Sequence, residues 1–484
     1  MIAEISIHIA ASSYGSPLCH GRRLAARGIL LLALCTGIAA CASVPNVNGI
    51  IDQSPGATAR PQIMGARGPL TAKQSKALFD RMGAENHDTD ALQRHLLIEQ
   101  AVAESPLVAG NRTQVLRDGA QTFHAMFAAI RGAKDHINLE YFILEDVESD
   151  GEKLSDLLVR KRAEGVAVNV IYDSFGSDST PAAFFDRLRQ AGVALVQFNP
   201  TDPLQARKSY SLNDRDHRKI LVVDGATAIV GGINLSTNYQ SSSFGKSGAP
   251  EGASAEHWRD TDLEIDGPAV AQLQALFLDH WSTQKGPALN QANFYPAIAA
   301  KGTEVVRIIG STPEDSLPRY YVTLLSAIRN AEKTVWLDAA YFVPTAQENE
   351  DLINAAQRGV DVRILVPDKS DSDRSLAVQH SCYSDLLEAG IKIYESHNEV
   401  LHSKAVVIDG VWSVIGSSNF DHRSVIYNDE VDAVILGSDT GLALESMFED
   451  DIGKARQIEL ATWEDRPLSE KLDETLSRIL QNLL

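Results

Sequence analysis

The chain has 484 residues, of which 44% are hydrophobic and 22% charged, a balance typical of a globular protein and of neither a disordered chain nor a polytopic membrane protein. Because single cores stop growing at about 250–300 residues, this length predicts two domain-sized units. The formal net charge of −20 argues against a protein that binds nucleic acid over a broad face.

Residues 1–41 have the pattern of a secretory signal. Three arginines precede the apolar run GILLLALCTGIAAC, which is too short for a comfortable membrane span. The run ends in IAAC at Cys41, which resembles the bacterial lipobox, where the cysteine is diacylated and begins the mature protein. The resemblance implies an exported lipoprotein anchored on the periplasmic side, and Ala42 favours the outer membrane slightly. A plain signal peptide with an incidental cysteine is the alternative.

Three further segments lie outside the main repeats. Residues 42–75 are rich in Pro, Gly, Ala and Ser without apolar periodicity, and they predict a flexible tether. A helical pattern predicts an N-terminal helical segment over 76–104. Leucines at helical spacing predict a C-terminal amphipathic helix over 461–484.

Between these segments the same pattern occurs twice. The repeated stretches are AAIRGAKDHINLEYFIL (128–144) with SAIRNAEKTVWLDAAYFVP (326–344), RAEGVAVNVIYD (162–173) with AQRGVDVRILVPD (356–368), and RLRQAGVALVQFNP (187–200) with LLEAGIKIYES (386–396). Helices alternating with short β-rich runs predict a mixed β-sheet flanked by helices. We therefore predict an α/β fold of two pseudo-symmetric halves, 105–290 and 300–460, with one active site at their interface.

Each half ends in the motif H-x-K-x4-D-x6-G-[GS]-x-N. The two copies are HRKILVVDGATAIVGGIN (217–234) and HSKAVVIDGVWSVIGSSN (402–419). The period of two in a strand puts His217 and Lys219 on one face, and the DG turn returns the chain so that Asn234 comes back toward His217. We expect the glycines at the end of the return strand to leave room for a ligand to approach the backbone.

This set of residues suits an anion. Cations beside a histidine oppose metal binding, so neither a metal ion nor a cofactor is expected. The lysine and asparagine of each copy could converge on phosphate oxygens and stabilise the charge of a five-coordinate phosphorus transition state. These four residues are Lys219, Lys404, Asn234 and Asn419. The two histidines, His217 and His402, would then divide the roles of nucleophile and general acid.

The doubled H-x-K-x4-D motif resembles that of the phospholipase D superfamily, and the resemblance covers roughly residues 105–460. In that family one histidine forms a covalent phosphohistidine, while the other protonates the leaving alcohol and then deprotonates the incoming one. The resemblance implies His217 as nucleophile and His402 as acid and then base, and the pseudo-symmetry leaves the reverse assignment open. Asp224 and Asp409 complete the catalytic motifs, and we expect them to organise the hairpin turn rather than contact substrate.

Each catalytic imidazole needs a partner on its second nitrogen. The stretch WRDTDLEIDGPAV follows the first motif and NDEVDAVILG follows the second, and their alignment sets Asp260 opposite Glu430. We predict these two as the orienting carboxylates, with Asp262 and Asp432 as the fallback pair. Solvated strand ends are the alternative reading.

Further stretches resemble bacterial cardiolipin synthases. They include SPLVAGNRTQVLRDG (105–119), NLEYFILEDVESDG (138–151), WRDTDLEIDGPAV (258–270) and SNFDHRSVIYNDE (418–430). The resemblance implies transfer of a phosphatidyl group to phosphatidylglycerol, with phosphatidylethanolamine as donor in some members. Arg423 and Ser424 would line the head-group side of the cleft, with a salt bridge and a helix cap as the alternative. Asp262 stands where a histidine is common in the synthases, which leaves acceptor choice open.

Three alternatives remain. A phospholipase D that hydrolyses phospholipids to phosphatidic acid has the same motifs, because water and an alcohol compete for one intermediate. A phosphodiesterase acting on nucleic acid is disfavoured by the net charge of −20, so no nucleic acid partner is expected. A non-catalytic lipid-binding lipoprotein is disfavoured by two complete motifs. The expected partners are phospholipid substrates and a membrane surface; a monomer suffices for one active site, and the oligomeric state is open.

Overall fold

The computed structural model describes residues 44–52, 63–85, 95, 105–200, 211, 213–240, 258–289, 292–370, 372–397 and 399–467. The predicted signal with Cys41 and most of the predicted C-terminal helix lie outside these ranges. Within them, no helix combines the length and the apolar character needed to cross a bilayer.

The N-terminal segment is more ordered than the sequence indicates. Its elements are α1 (Asn48–Asp52), β1 (Ile63–Gly65), β2 (Gly68–Pro69) and α2 (Ala72–Glu85). Val47 and Ile51 are buried against Tyr321, and Ile63 pairs with Leu107 at the edge of a sheet. Of the predicted tether over 42–75, the described residues 44–52 and 63–75 therefore form short elements that pack on the second half and on a sheet edge. A sheet edge accepts a short strand through backbone hydrogen bonds, which leave no apolar periodicity in the sequence.

The first half forms one mixed sheet. Its elements are β3 (Leu107–Leu116), α3 (Gly119–Gly132), β4 (His136–Tyr141), β5 (Glu148–Ser149), β6 (Glu152–Lys153), α4 (Leu154–Ala163), β7 (Ala167–Asp173), α5 (Ala182–Gln190), β8 (Ala194–Phe198), β9 (Arg215–Asp216), β10 (Lys219–Val223), β11 (Thr227–Gly231), a 3-10 turn (Thr237–Tyr239), β12 (Trp258–Arg259), β13 (Asp262–Asp266) and α6 (Val270–Thr283). The strand order is β8-β7-β4-β10-β11-β13-β3, with β4, β7 and β8 parallel and the other neighbours antiparallel.

The second half repeats this architecture. Its elements are β14 (Glu304–Ser311), α7 (Arg319–Arg329), β15 (Thr334–Ala339), α8 (Ala346–Gln357), β16 (Asp361–Pro367), α9 (Asp373–Glu388), β17 (Lys392–Ser396), β18 (Val400–Leu401), β19 (Lys404–Ile408), β20 (Trp412–Gly416), α10 (His422–Ile426), β21 (Asn428–Leu436), α11 (Ser438–Ile452), β22 (Arg456–Ile458) and α12 (Leu460–Glu464). The order β17-β16-β15-β19-β20-β21-β14 matches that of the first sheet strand for strand. The predicted α/β fold of two pseudo-symmetric halves is confirmed.

The two halves share a core. The β3 and β14 strands pair antiparallel and join the sheets. Alternate residues of the motif strands face the shared core, where Ile220 and Val222 of β10 belong to one apolar cluster with Ala405 and Val407 of β19. The described residues all belong to one compact unit, so the halves are not independent domains.

Candidate active site

Two short parallel strand pairs carry the motif histidines across the interface between the halves. The β9 strand pairs with the start of β21, and β12 pairs with β18. His217, which follows β9, donates its backbone N–H to the carbonyl of Asp429 at 2.9 Å, and His402, which follows β18, donates to the carbonyl of Arg259 at 2.7 Å. Each accepting residue immediately precedes a predicted orienting carboxylate. The backbone therefore brings each histidine to the carboxylate of the opposite half.

The side chains complete this exchange. His217 Nδ1 lies 3.0 and 3.1 Å from the two oxygens of Glu430, and His402 Nδ1 lies 2.7 Å from Asp260 Oδ2. Both carboxylates are fully buried. A buried carboxylate on Nδ1 fixes the tautomer and leaves Nε2 for chemistry. Asp260 and Glu430 thus lie where an orienting carboxylate is needed. Each carboxylate contacts the histidine of the opposite half, which the alignment of the repeats did not indicate.

Other polar side chains hold the Glu430 carboxylate. Ser417 Oγ donates to its Oε2, and Asn428 Nδ2 donates to its Oε1 at 3.0 Å. Sequence reasoning assigned neither residue this role. The signal was present, because Ser417 replaces the second glycine of the first motif copy, where Gly232 stands.

Tyr239 is a further site residue that the sequence did not reveal. Its buried hydroxyl lies 3.0 Å from His402 Nδ1. It follows Asn234 by five residues, and the equivalent position after Asn419 is Ser424, whose Oγ accepts the backbone N–H of Asn419 at 3.0 Å. The two copies of the motif therefore differ at this position, and only a comparison of the repeats beyond the motif could have pointed to it.

The two motif lysines interact electrostatically. Burial, opposed by the charge of Glu430 and reinforced by the like charge of Lys404, lowers the pKa of Lys219 to about 7. Burial and then Lys404 lower the pKa of His402 to about 4, and burial also lowers the pKa of His217. The free imidazoles are therefore neutral at pH 7, the state that a nucleophile needs. An anion among these four groups would raise every one of their pKa values.

The orienting carboxylates are held in the charged form. Burial acts to raise the pKa of Asp260, but Lys404 and His402 outweigh it and the pKa is lowered. The pKa of Glu430 is likewise lowered, because His217 and Lys219 outweigh the effect of burial. A charged partner stabilises the imidazolium that general acid catalysis requires.

The fallback pair, Asp262 and Asp432, bonds to the backbone instead of the imidazoles, and its pKa values are raised where those of Asp260 and Glu430 are lowered. Asp262 accepts the backbone N–H of Ile233 at 3.0 Å, and Asp432 accepts that of Ser418 at 3.3 Å, each one residue before a motif asparagine. Burial raises the pKa of Asp432 to about 8 and that of Asp262 well above its usual value. These carboxyls bind the backbone at the ends of the return strands. Among the hydrogen bonds of the described residues, neither carboxyl bonds to an imidazole.

The motif glycines make room for carboxylates. A Cβ on Gly231 would lie 2.3 Å from Asp262 Oδ1, and one on Gly416 would lie 2.0 Å from Asp432 Oδ1. A Cβ on Gly232 would lie 2.2 Å from Asp260 Oδ1. The expectation that these glycines leave room for a ligand is therefore wrong, because buried carboxyl groups already occupy that space.

The motif aspartates lie at the hairpin turns. Asp224 and Asp409 have positive φ angles of 52° and 53°. Asp224 accepts backbone N–H groups of Asp135 and His136 at 2.8 and 3.0 Å, and Asp409 accepts that of Lys333 at 2.7 Å. They therefore anchor the turn to the start of the neighbouring strand, at the opposite end of β10 and β19 from the histidines.

The predicted substrate-binding residues make hydrogen bonds within the protein. Buried Asn234 follows β11 and accepts the backbone N–H of Ile143 at 3.2 Å. Arg423 donates to the side-chain oxygen of Asn213 at 2.8 Å and to its carbonyl at 3.1 Å, so it links the two halves. Asp421, rather than Ser424, caps α10. The roles of these residues toward phosphate and head group stay predictions.

Behind the first motif lies a buried polar cluster. Among the residues that the structure describes, the atoms of Glu140, Asp216 and His280 that could bind a metal ion all lie within 4.8 Å of one another. Arg218 Nη1 lies 3.3 Å from Glu140 Oε1, and its charge opposes a cation. Burial raises the pKa of Glu140 to about 7. The cluster supports the strand that carries His217.

Comparison with known proteins decides the family. The family described as "Cardiolipin synthase, PLD-like domain" matches residues 126–246 and 324–452, one stretch in each half. The chain belongs to this family. The resemblance predicted from the sequence is thereby confirmed, and with it the enzyme class, a phospholipase D-type phosphatidyltransferase.

Individual relatives agree with this assignment. The chain is 35% identical to a cardiolipin synthase of Alkalihalophilus pseudofirmus over 79% of this chain and 74% of the relative, and 35% identical to one of Geobacillus thermodenitrificans over 81% and 76%. It is 32% identical to cardiolipin synthase 2 of Bacillus anthracis over 85% and 80%. The crystal structure of a phosphatidylserine synthase from Haemophilus influenzae has the same fold, with a TM-score of 0.58 at 13% identity over 81% of this chain and all of that one.

Proposed function

We propose that this protein forms cardiolipin by transferring a phosphatidyl group to phosphatidylglycerol. The observation that carries the proposal is a pair of imidazoles, each held by a buried carboxylate of the opposite half, beside two lysines whose charges act on one another. The named function of the relatives, which are 31–35% identical, supports the choice of lipid substrates.

The proposed reaction gives the two histidines the roles that the family resemblance implies. His402, which is neutral in the free enzyme, takes up a proton when the bound phosphate anion raises its pKa. Nε2 of His217 then attacks the phosphorus of the donor phospholipid, and the bond to the head-group oxygen breaks as His402 delivers that proton to the oxygen. His402 then takes the proton of a phosphatidylglycerol hydroxyl, whose oxygen attacks the phosphohistidine and releases His217. With phosphatidylglycerol as donor the products are cardiolipin and glycerol, and with phosphatidylethanolamine they are cardiolipin and ethanolamine.

The lysines and carboxylates around the histidines stabilise the charges that develop during the reaction. Lys219 and Lys404 hold the phosphate oxygens while the five-coordinate phosphorus carries additional negative charge. Each lysine Nζ also donates to the carbonyl of its own motif histidine, His217 or His402, which keeps the ammonium beside the ring. Glu430 and Asp260 stabilise the imidazolium state that each ring passes through.

Product analysis tests the proposal. Purified protein is incubated with labelled phosphatidylglycerol, with and without phosphatidylethanolamine, and the lipids are separated. We expect labelled cardiolipin, together with free glycerol or ethanolamine. Phosphatidic acid as the only product at every acceptor concentration would favour the hydrolase instead. Unchanged turnover in His217→Ala or His402→Ala would contradict the two-histidine mechanism.

We also propose that the protein is exported and held on the periplasmic face of a membrane by acyl chains on Cys41, with the outer membrane favoured. The charged and apolar pattern of residues 22–41 and its IAAC ending support this. Cells grown with labelled palmitate should incorporate label into the wild-type protein and not into Cys41→Ser. Equal labelling of both proteins would exclude Cys41 as the attachment site.

A further inference from the structure

Phe175 is an exposed aromatic side chain next to the catalytic strand. Its side chain is 64% exposed. In the described part of the chain, Tyr295 and Leu442 are also large hydrophobic residues with high exposure, at 56% and 61%. Single exposed hydrophobic residues are common on soluble proteins, so exposure alone indicates nothing. What sets Phe175 apart is its position.

The turn at 173–178 fixes Phe175 relative to the site. Asp173 Oδ1 accepts the backbone N–H groups of Phe175 at 2.8 Å and of Gly176 at 2.9 Å. A Cβ on Gly176 would lie 2.3 Å from the carbonyl oxygen of Phe142, so the turn packs closely on that residue. The Phe142 ring is in turn 5.4 Å from the ring of His217. The fold therefore holds an exposed phenylalanine rigidly, two packed residues from the predicted nucleophile.

Arginine and tyrosine side chains continue the same surface. The guanidinium of Arg215 lies 5.5 Å from the Phe175 ring and pairs with Asp173 at 3.6 Å. The backbone N–H of Arg215 bonds to the carbonyl of Tyr427, and the guanidinium of Arg423 lies 5.9 Å from the Tyr427 ring. The hydrogen bonds of Arg423 go to the uncharged Asn213, and its charge acts on the Asp421 carboxyl without a salt bridge to it among the described residues. Phe175, Tyr427 and Arg423 thus form what we call the mouth surface.

We propose that the mouth surface docks on an anionic phospholipid bilayer and sets the active site against the lipid head groups. The proposal rests on the proposed function, because a diester held in a bilayer must reach His217, whose side chain is 12% exposed, from the protein surface near it. A chain with a net charge of −20 is repelled by such a membrane as a whole. Contact therefore requires a local face on which aromatic and cationic groups meet, since aromatic rings lie at head-group level and arginine attracts anionic lipids.

A fluorescent reporter tests the docking directly. Phe175→Trp and the matched control Tyr295→Trp, both in the full chain, are compared with wild type in vesicles that contain brominated phosphatidylcholine, with and without phosphatidylglycerol. We expect the tryptophan at 175 to shift to the blue and to be quenched about twofold or more in the anionic vesicles, and the tryptophan at 295 to behave as if in water. Equal quenching at both positions, or none at 175, would overturn the proposal.

Turnover gives the second measurement. Phe175→Ala should lower the ratio of turnover on vesicles to turnover on detergent-dispersed short-chain substrate by about tenfold, because a buried phenyl ring contributes about one order of magnitude to interfacial binding. Leu442→Ala should leave the ratio unchanged, and Phe175→Trp should restore it. Equal ratios in Phe175→Ala and wild type would contradict the docking surface.

The two proposals fail in different ways. Quenching is measured without turnover, so it can support docking even if no cardiolipin forms. Conversely, turnover on dispersed substrate requires no bilayer, so it can support the proposed function even if Phe175 has no effect.

Discussion

Glu430 of the second half holds His217 of the first, at 3.0 Å from Nδ1, and Asp260 holds His402 in the reverse direction. Because each half supplies the carboxylate for the other half's histidine, neither motif contains a complete catalytic unit. The sequence places Glu430 213 residues from His217, so this contact exists only in the folded protein.

Removing the charge of an orienting carboxylate should lower kcat without unfolding the protein. Asp260→Asn and Glu430→Gln keep the size of the side chain but leave the imidazolium without a charged partner, and we expect a loss of at least about a hundredfold in phosphatidyl transfer. KM should change little, and the circular dichroism spectrum should match that of wild type. A loss of less than about threefold in both variants would contradict the orienting role.

Asp432 should respond to substitution in the opposite way. Since its pKa is raised to about 8 by burial, the carboxyl is protonated at pH 7 and an amide replaces it well. Asp432→Asn should keep activity within about threefold. Asp432→Ala leaves the backbone N–H and hydroxyl of Ser418 without their partner, and it should cost about 1–3 kcal/mol of unfolding free energy.

The stability of Asp432→Asn relative to wild type should also depend on pH. The unfolded carboxyl has a pKa near 4, so between pH 4 and 8 the unfolded chain releases a proton that the folded chain keeps, and wild-type stability falls as pH rises. The variant lacks this group, so its Tm relative to that of wild type should rise from pH 4 to pH 8. A difference that is constant over this range would show that the folded-state pKa is not raised.

Sequence patterns predicted those parts of the fold and site that a periodicity or a repeat records. The short apolar runs of β10 and β19 and the repeated helix–strand pairs predicted the two α/β halves. The alignment of the repeats placed Asp260 and Glu430 in equivalent positions, but equivalence does not indicate which histidine each one contacts. That depends on the two-residue strands β9 and β12, which are too short to leave a pattern.

Other features depend on three-dimensional packing, which the sequence pattern does not record. The glycines of the motif suggested an approach for a ligand, yet buried carboxyls of Asp262 and Asp432 fill the gap beside Gly231 and Gly416. Likewise, Val47 of the N-terminal segment is buried because it packs in one cluster with Tyr321 and Leu325 of the second half. The Pro, Gly, Ala and Ser content of the N-terminal segment does not reveal that the second half provides a surface on which it packs.

The activity should fall as pH rises through the pKa of Lys219. Burial lowers that pKa to about 7, so in the free enzyme the ammonium is lost at a pH where an ordinary lysine stays charged, and the neutral amine holds a phosphate anion less well. We expect kcat/KM on dispersed substrate to decline above about pH 7. Lys219→Arg keeps its charge at all these pH values and should move the decline to higher pH, although its rate will be lower. An unchanged alkaline limb in Lys219→Arg would assign the decline to another group.

The division of labour between the histidines can be read from a single turnover. A phosphatidyl donor with an activated leaving group, such as a nitrophenolate, requires no general acid to depart. His402→Ala should therefore release about one equivalent of nitrophenolate in a burst and then stop, because the phosphohistidine on His217 has no base to activate the acceptor. His217→Ala should give no burst, since the attacking nitrogen is missing. If the burst occurs in His217→Ala and not in His402→Ala, the pseudo-symmetric site works in the reverse order, with His402 as the nucleophile.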